Sequence, residues 1–77
     1  MSQKRFLEIP NVKSIMNWKL KIAILKSGKP QYEIAQEARI GYNRLSGIVH
    51  GYIKPKHVEK YKLAKVLGYE ISGIFDE

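Results

Sequence analysis

The sequence predicts an all-α domain of five short helices. Three observations carry that prediction. Apolar residues recur at helical spacing in several short segments, Gly or Pro closes most of those segments, and no alternating apolar/polar run of strand length is present. At 77 residues the chain has room for one domain and one compact core. A chain of this size buries only about 60% of its unfolded surface, so a deep, water-excluding active site is not expected.

Each element follows from local pattern. Residues 1–13 are the least regular part. Phe6, Leu7, Ile9 and Val12 are apolar but Pro10 interrupts them. They read as an N-terminal arm that either packs on the body or stays loose, with a short edge strand as the alternative. Residues 14–77 form the domain. A first helix is expected from about Ser14 to Ser27, with Ile15, Trp18, Ile22 and Leu25 near helical spacing and Leu20 and Ile24 beside them. Gly28 stops it as a left-handed C-cap does, and Pro30 sits where a first-turn proline is tolerated. A second helix spans Gln31 to Ala38 on the stripe Ile34, Ala35 and Ala38, with Glu33 near its positive end. Arg39-Ile40-Gly41 is a tight break. A third helix runs from Tyr42 to His50, burying Leu45, Ile48 and Val49, and Gly51 ends it. A fourth starts near Pro55 or Lys56 and runs to Leu67, on Leu63, Val66 and Leu67 with Val58, Tyr61 and Ala64 adjoining; Gly68 stops it. A fifth spans Ser72 to Phe75, with Ser72 as its N-cap and Ile71, Ile74 and Phe75 buried.

Charge narrows the function classes. Fourteen Lys and Arg against seven Asp and Glu give a net charge of +7, which suggests a polyanionic partner. Residues 1–30 are net +6, residues 31–53 are balanced, residues 54–67 are net +4 and residues 68–77 are net −3. Lysine-rich, solvated helix faces are the competing explanation, and the lysines of the first helix (Lys19, Lys21, Lys26) and of the fourth (Lys60, Lys62, Lys65) are assigned to such faces. Cysteine is absent, which excludes disulfides, thiolate metal sites and cysteine catalysis. His50 and His57 lack the surrounding carboxylates a metal site needs; His50 is expected to serve in capping and His57 to be solvated. No nucleophile–base pair, phosphate loop or carboxylate pair is evident, so no enzyme activity, cofactor or metal is expected. No apolar run approaches the ~20 residues that span a bilayer, and the start of the chain lacks the apolar region of a signal peptide. A cytoplasmic protein is the expectation.

The informative stretch is Gln31 to Gly51. Two short helices are joined by a three- or four-residue break, and the second exposes Tyr42, Asn43, Arg44 and Ser46. That is the organisation of a helix-turn-helix. A major groove about 12 Å wide admits one α-helix, and that helix must be buried behind and polar in front. The third helix meets both needs, and Gly47 is read as lacking bulk so that the duplex approaches closely. Asn pairs bidentately with adenine and Arg with guanine, each contact carrying about 1–3 kcal/mol of discrimination.

Gln31-Tyr-Glu-Ile-Ala-Gln-Glu-Ala38, then Leu45-x-x-Ile48-x-x-Gly51, then Leu63-Ala-Lys-Val-Leu-Gly68 and Ser72-x-x-Phe75 together resemble the phage repressor/Cro (XRE-type, lambda-repressor-like) helix-turn-helix family over about residues 17–75. The resemblance implies sequence-specific binding of double-stranded DNA by a transcriptional regulator of the phage, plasmid or mobile-element kind. It implies base-facing positions at Tyr42, Asn43, Ser46 and Gly47, and a base or backbone contact at Arg44. It further implies phosphate contacts at Gln31, Lys54 and Lys56. A homodimer on a pseudo-palindromic site is its default, here a weak one that must use the fifth helix, the arm or DNA-assisted contacts. The chain departs from the family pattern at Arg39-Ile40-Gly41, which lacks a glycine right after the second helix, and at Pro30, which stands where a Ser, Thr or Asn cap is usual. It also has the apolar Ile24 and Val49 at positions where many members carry an ion pair. The alternative function is a protein-interaction module, such as an antitoxin-like adaptor, on the same fold.

Overall fold

The computed structural model describes residues 16–76 and forms five α-helices there, with no strand among the described residues. They are α1 (Trp18–Ser27), α2 (Gln31–Ala38), α3 (Tyr42–His50), α4 (His57–Leu67) and α5 (Ile71–Ile74). The domain is all-α, and α2 and α3 occupy the residues the sequence assigns to them. The arm expected over residues 1–13, with Ser14 and Ile15, lies outside the described residues.

Helix α1 begins at Trp18 because Asn17 caps it. The Asn17 side-chain oxygen accepts the Leu20 N–H at 2.9 Å. Its amide nitrogen donates to the Ile74 carbonyl at 2.9 Å, and its backbone N–H donates to the Val49 carbonyl at 2.9 Å. One residue therefore starts α1 and joins it to the ends of α3 and α5. The expected inward face of α1 is corrected. Leu20, Ala23 and Ile24 are buried, whereas Trp18, Ile22 and Leu25 are 46%, 46% and 65% exposed. Apolar residues lie on both sides of this helix, so its period does not choose between them.

The starts of α4 and α5 differ by a residue or two from expectation. Lys56 has extended backbone, with ψ 159°, and is the N-cap of α4, so the helix proper begins at His57. The cap of α5 is Glu70, not Ser72, and Ser72 lies inside the helix.

The break between α2 and α3 is a Schellman-type ending. The Arg39 N–H donates to Gln36 O at 3.1 Å and the Ile40 N–H to Ala35 O at 2.9 Å. Arg39 takes the left-handed conformation itself, φ 58° and ψ 45°, where a glycine is usual. Gly51 closes α3 in the same manner at φ 84°, with Tyr52 N–H donating to Gly47 O at 2.8 Å.

The core gathers Leu20, Ala23 and Ile24 of α1, Ile34, Ala35 and Ala38 of α2, and Leu45, Ile48 and Val49 of α3. Leu63 and Ala64 of α4, Ile74 of α5, and Ile40 and Phe75 complete it. Full burial of each large aliphatic contributes about 1.5–3 kcal/mol. Helix α2 packs on α3 and α4, while α5 closes the bundle against α1 and α4.

Two stability outcomes follow. Asn17→Ala removes the cap and orphans the Ile74 carbonyl, and should lower stability in urea denaturation by about 1–2 kcal/mol. At Arg39, a β-branched side chain is poorly tolerated at positive φ. Arg39→Val should therefore cost about 1–2 kcal/mol in the same assay, whereas Arg39→Gly should leave the midpoint at or above that of the parent.

Candidate functional site

Helix α3 has two unlike sides. Leu45, Ile48 and Val49 are buried in the core. Asn43, on the opposite side, is exposed, and Tyr42, the first residue of the helix, is 51% exposed. Neither side chain has a hydrogen-bond partner among the described residues. Ser46, one turn on, is half-buried. The segment Arg39-Ile40-Gly41 sets this helix off from α2; Gly41 is its N-cap and supplies no side chain to bond the first turn.

Gly47, one turn after Asn43 on the same side of the helix, is not open to solvent. It is buried, and a Cβ placed on it would meet the Ile53 side chain at 2.5 Å. The missing side chain makes room for Ile53, which folds back over α3 and donates its N–H to Gly47 O at 3.1 Å. The expectation of a close duplex approach at Gly47 is corrected on that ground.

Arg44 lies on the flank of α3, with its side chain 37% exposed. It is held by Glu59 of α4, a residue that sequence reasoning passed over. The Arg44 Nε donates to one Glu59 carboxylate oxygen and Nη2 donates to the other at 2.9 Å. The Lys56 N–H donates to Glu59 Oε1 at 2.7 Å. Glu59 is only 9% exposed and is the buried charged residue of the described chain. Its place was readable, since it precedes Leu63 by four residues and so shares the inward face of α4. The hydrogen bond from Arg44, above all, holds its carboxyl below the ordinary glutamate value; burial opposes this and the Lys56 N–H assists it. The same bond raises the Arg44 pKa.

The remaining expected residues are spread around this centre. Gln31 is half-buried at the first position of α2, whose N-cap Pro30 offers no side-chain bond to the opening turn. Lys54 and Lys56 are exposed in the loop between α3 and α4. Neither is in an ion pair among the described residues. Lys54 borders a shallow depression of about 390 Å³ beside Asn17, Lys60, Phe75 and Asp76. His50 turns back on its own helix, with Nδ1 2.8 Å from Ser46 O, so Nδ1 carries the proton. Its ring stacks on Tyr52 at a centroid distance of 6.1 Å. His57 is exposed at the start of α4. No group of three or more His, Cys, Asp or Glu suited to a metal ion occurs among the described residues, and no helix there is long and apolar enough to cross a membrane.

The site thus joins an outward polar surface on α3, a buttressed arginine at its flank and two exposed lysines in the following loop. No protein-family model, curated protein or solved structure matches the chain.

The Glu59 carboxyl gives a pH signature. Because its folded pKa is lowered, the stabilisation it brings is present above the ordinary value of 4.5 and is lost as pH falls through the lower, folded value. Denaturation midpoints of the parent should fall below about pH 4.5. Glu59→Gln should be the less stable protein at pH 7, and the gap between the two should narrow at pH 3.

Proposed function

We propose that the protein is a sequence-specific double-stranded DNA-binding regulator of the repressor/Cro helix-turn-helix kind, with α3 lying in the major groove. One observation carries the reading. Helix α3 follows α2 after three residues, buries Leu45, Ile48 and Val49, and leaves Tyr42 and Asn43 exposed without hydrogen-bond partners among the described residues. Paired polar groups would already have spent their hydrogen-bonding capacity; unpaired ones can spend it on base edges. Asn43 offers the bidentate pattern that adenine accepts, and Tyr42 and Ser46 flank it.

The surroundings suit the role. A helix start favours an anion, which fits a phosphate at the uncapped N-terminus of α2 beside Gln31. Lys54 and Lys56 supply non-specific attraction, within a chain of net charge +7. On this reading the protein works on DNA in the cytoplasm and regulates transcription for a phage, plasmid or other mobile element. It binds a pseudo-palindromic site as a weak homodimer.

A second reading, a protein-interaction module, is favoured by the exposed stripe Trp18, Ile22 and Leu25 on α1. Selection of bound oligonucleotides from a random pool, with the mass of the protein measured in solution, separates the two. A DNA binder enriches a motif, and its affinity falls with salt at a log–log slope of about −0.9 per phosphate neutralised. Asn43→Ala should cost about 1–3 kcal/mol on the selected site and flatten preference at one position. The double variant Lys54→Ala/Lys56→Ala should weaken all sequences alike and reduce the slope by about 1 per lysine. An unenriched pool together with a stable protein partner would favour the interaction module.

A further inference from the structure

Arg44 engages Glu59 through one edge of its guanidinium only. The bonds run from Nε and from one N–H of Nη2, and no partner for Nη1 occurs among the described residues. The planar group has five N–H donors in fixed directions. With the side edge committed, both Nη1 donors and the second Nη2 donor remain. Two of these, one on each terminal nitrogen, are parallel and form the fork that matches guanine O6 and N7. The side chain is 37% exposed on the flank of α3, beside exposed Asn43.

We infer that Arg44 is a guanine-specific reader whose terminal edge is aimed by Glu59, and that Glu59 is a positioning residue for DNA recognition. The inference rests on the DNA-binding reading above. A free arginine must give up rotamer freedom before it makes a bidentate contact; one already held by two hydrogen bonds has given it up on folding. Glu59 is itself fixed, buried at 9% exposure and bonded to the Lys56 N–H at 2.7 Å. That third bond ties the arginine to the end of the loop carrying Lys54 and Lys56. Base reader and phosphate loop are thus set in one register through a single carboxylate.

The test is selection from a random duplex pool with the parent, Arg44→Ala, Arg44→Lys and Glu59→Gln, each checked for folding by circular dichroism at the binding temperature. The parent should enrich a motif with a guanine at one position that both Arg44 variants no longer require. Arg44→Lys is the deciding variant, since its ammonium can pair with Glu59 to keep the fold but cannot hold Glu59 and a guanine fork together. Glu59→Gln should lose about tenfold of the guanine preference, the order that one bidentate contact carries. Its salt slope should match that of the parent, because Glu59 touches no phosphate. Retention of the guanine by Arg44→Lys and Arg44→Ala would overturn the reader assignment, and an unchanged preference in Glu59→Gln would overturn the positioning role. Both results leave DNA binding standing. A parent that enriches no motif removes that reading and this inference together.

Discussion

Burial of the rear of α3 is the constraint on which the rest of the structure depends. A nine-residue helix is not stable alone in water. It exists here because Leu45, Ile48 and Val49 are taken into the core and because Gly51 closes its last turn. The contacts that create the helix also orient it. With those three residues fixed inward, 100° per residue turns Asn43 outward and Ser46 onto the flank, while Tyr42, seven residues before Val49, is left exposed as the first residue of the helix. Ile53, seated over Gly47, and the Asn17 N–H on the Val49 carbonyl secure the far end. Orientation of the candidate reading surface is therefore a product of folding rather than an addition to it.

Glu59 presents the opposite problem, a charge placed where the core ends. Burying a carboxylate is costly unless its oxygens are hydrogen-bonded. Three donors reach it, two from one guanidinium and one from the backbone. An apolar residue in its place would pack without that requirement, but it would fix neither the Arg44 rotamer nor the loop that ends at Lys56. The carboxylate sets geometry at the junction of α3 and α4, which is how a polar group at the edge of a core contributes beyond stability.

The sequence made α2, α3 and the core face of each legible, because both helices are short, bracketed by Pro or Gly, and apolar on one side only. Four features were not read from the sequence, each for its own reason. Helix α1 is apolar on two sides, and the choice of Leu20, Ala23 and Ile24 over Trp18, Ile22 and Leu25 is made by tertiary docking at Asn17. Gly47 looked like clearance for a ligand and is clearance for Ile53, a contact across a loop that no local pattern encodes. Glu59 sits in the first turn of its helix, where an acid is favourable on dipole grounds alone, so its inward placement had a ready but incomplete explanation. Arg44 was read as an exposed polar residue, and its partner could not be named without the α3–α4 packing. The assignment of Tyr42, Asn43, Lys54 and Lys56 to a surface agrees with their exposure.

The distribution of charge adds a last step. Among the described residues Asp76 pairs with Lys19, Glu37 with Lys29 and Glu59 with Arg44. The first two pairs are exposed and add little to stability. Their effect is on the field: each cancels a cation on α1 or just before α2, away from the loop that follows α3. Among the described residues Lys54 and Lys56 are in no ion pair, and α3 itself carries no acid. Lys21 and Lys26 of α1 and Lys62 and Lys65 of α4 are likewise in no ion pair among the described residues. For a polyanionic partner such charges act on encounter rate, through forces that reach about 8–10 Å at ordinary ionic strength. They say nothing of which base is preferred. On the proposed reading that discrimination falls to Tyr42, Asn43 and the free edge of Arg44, the groups near the start of α3 with directional hydrogen bonds left to make.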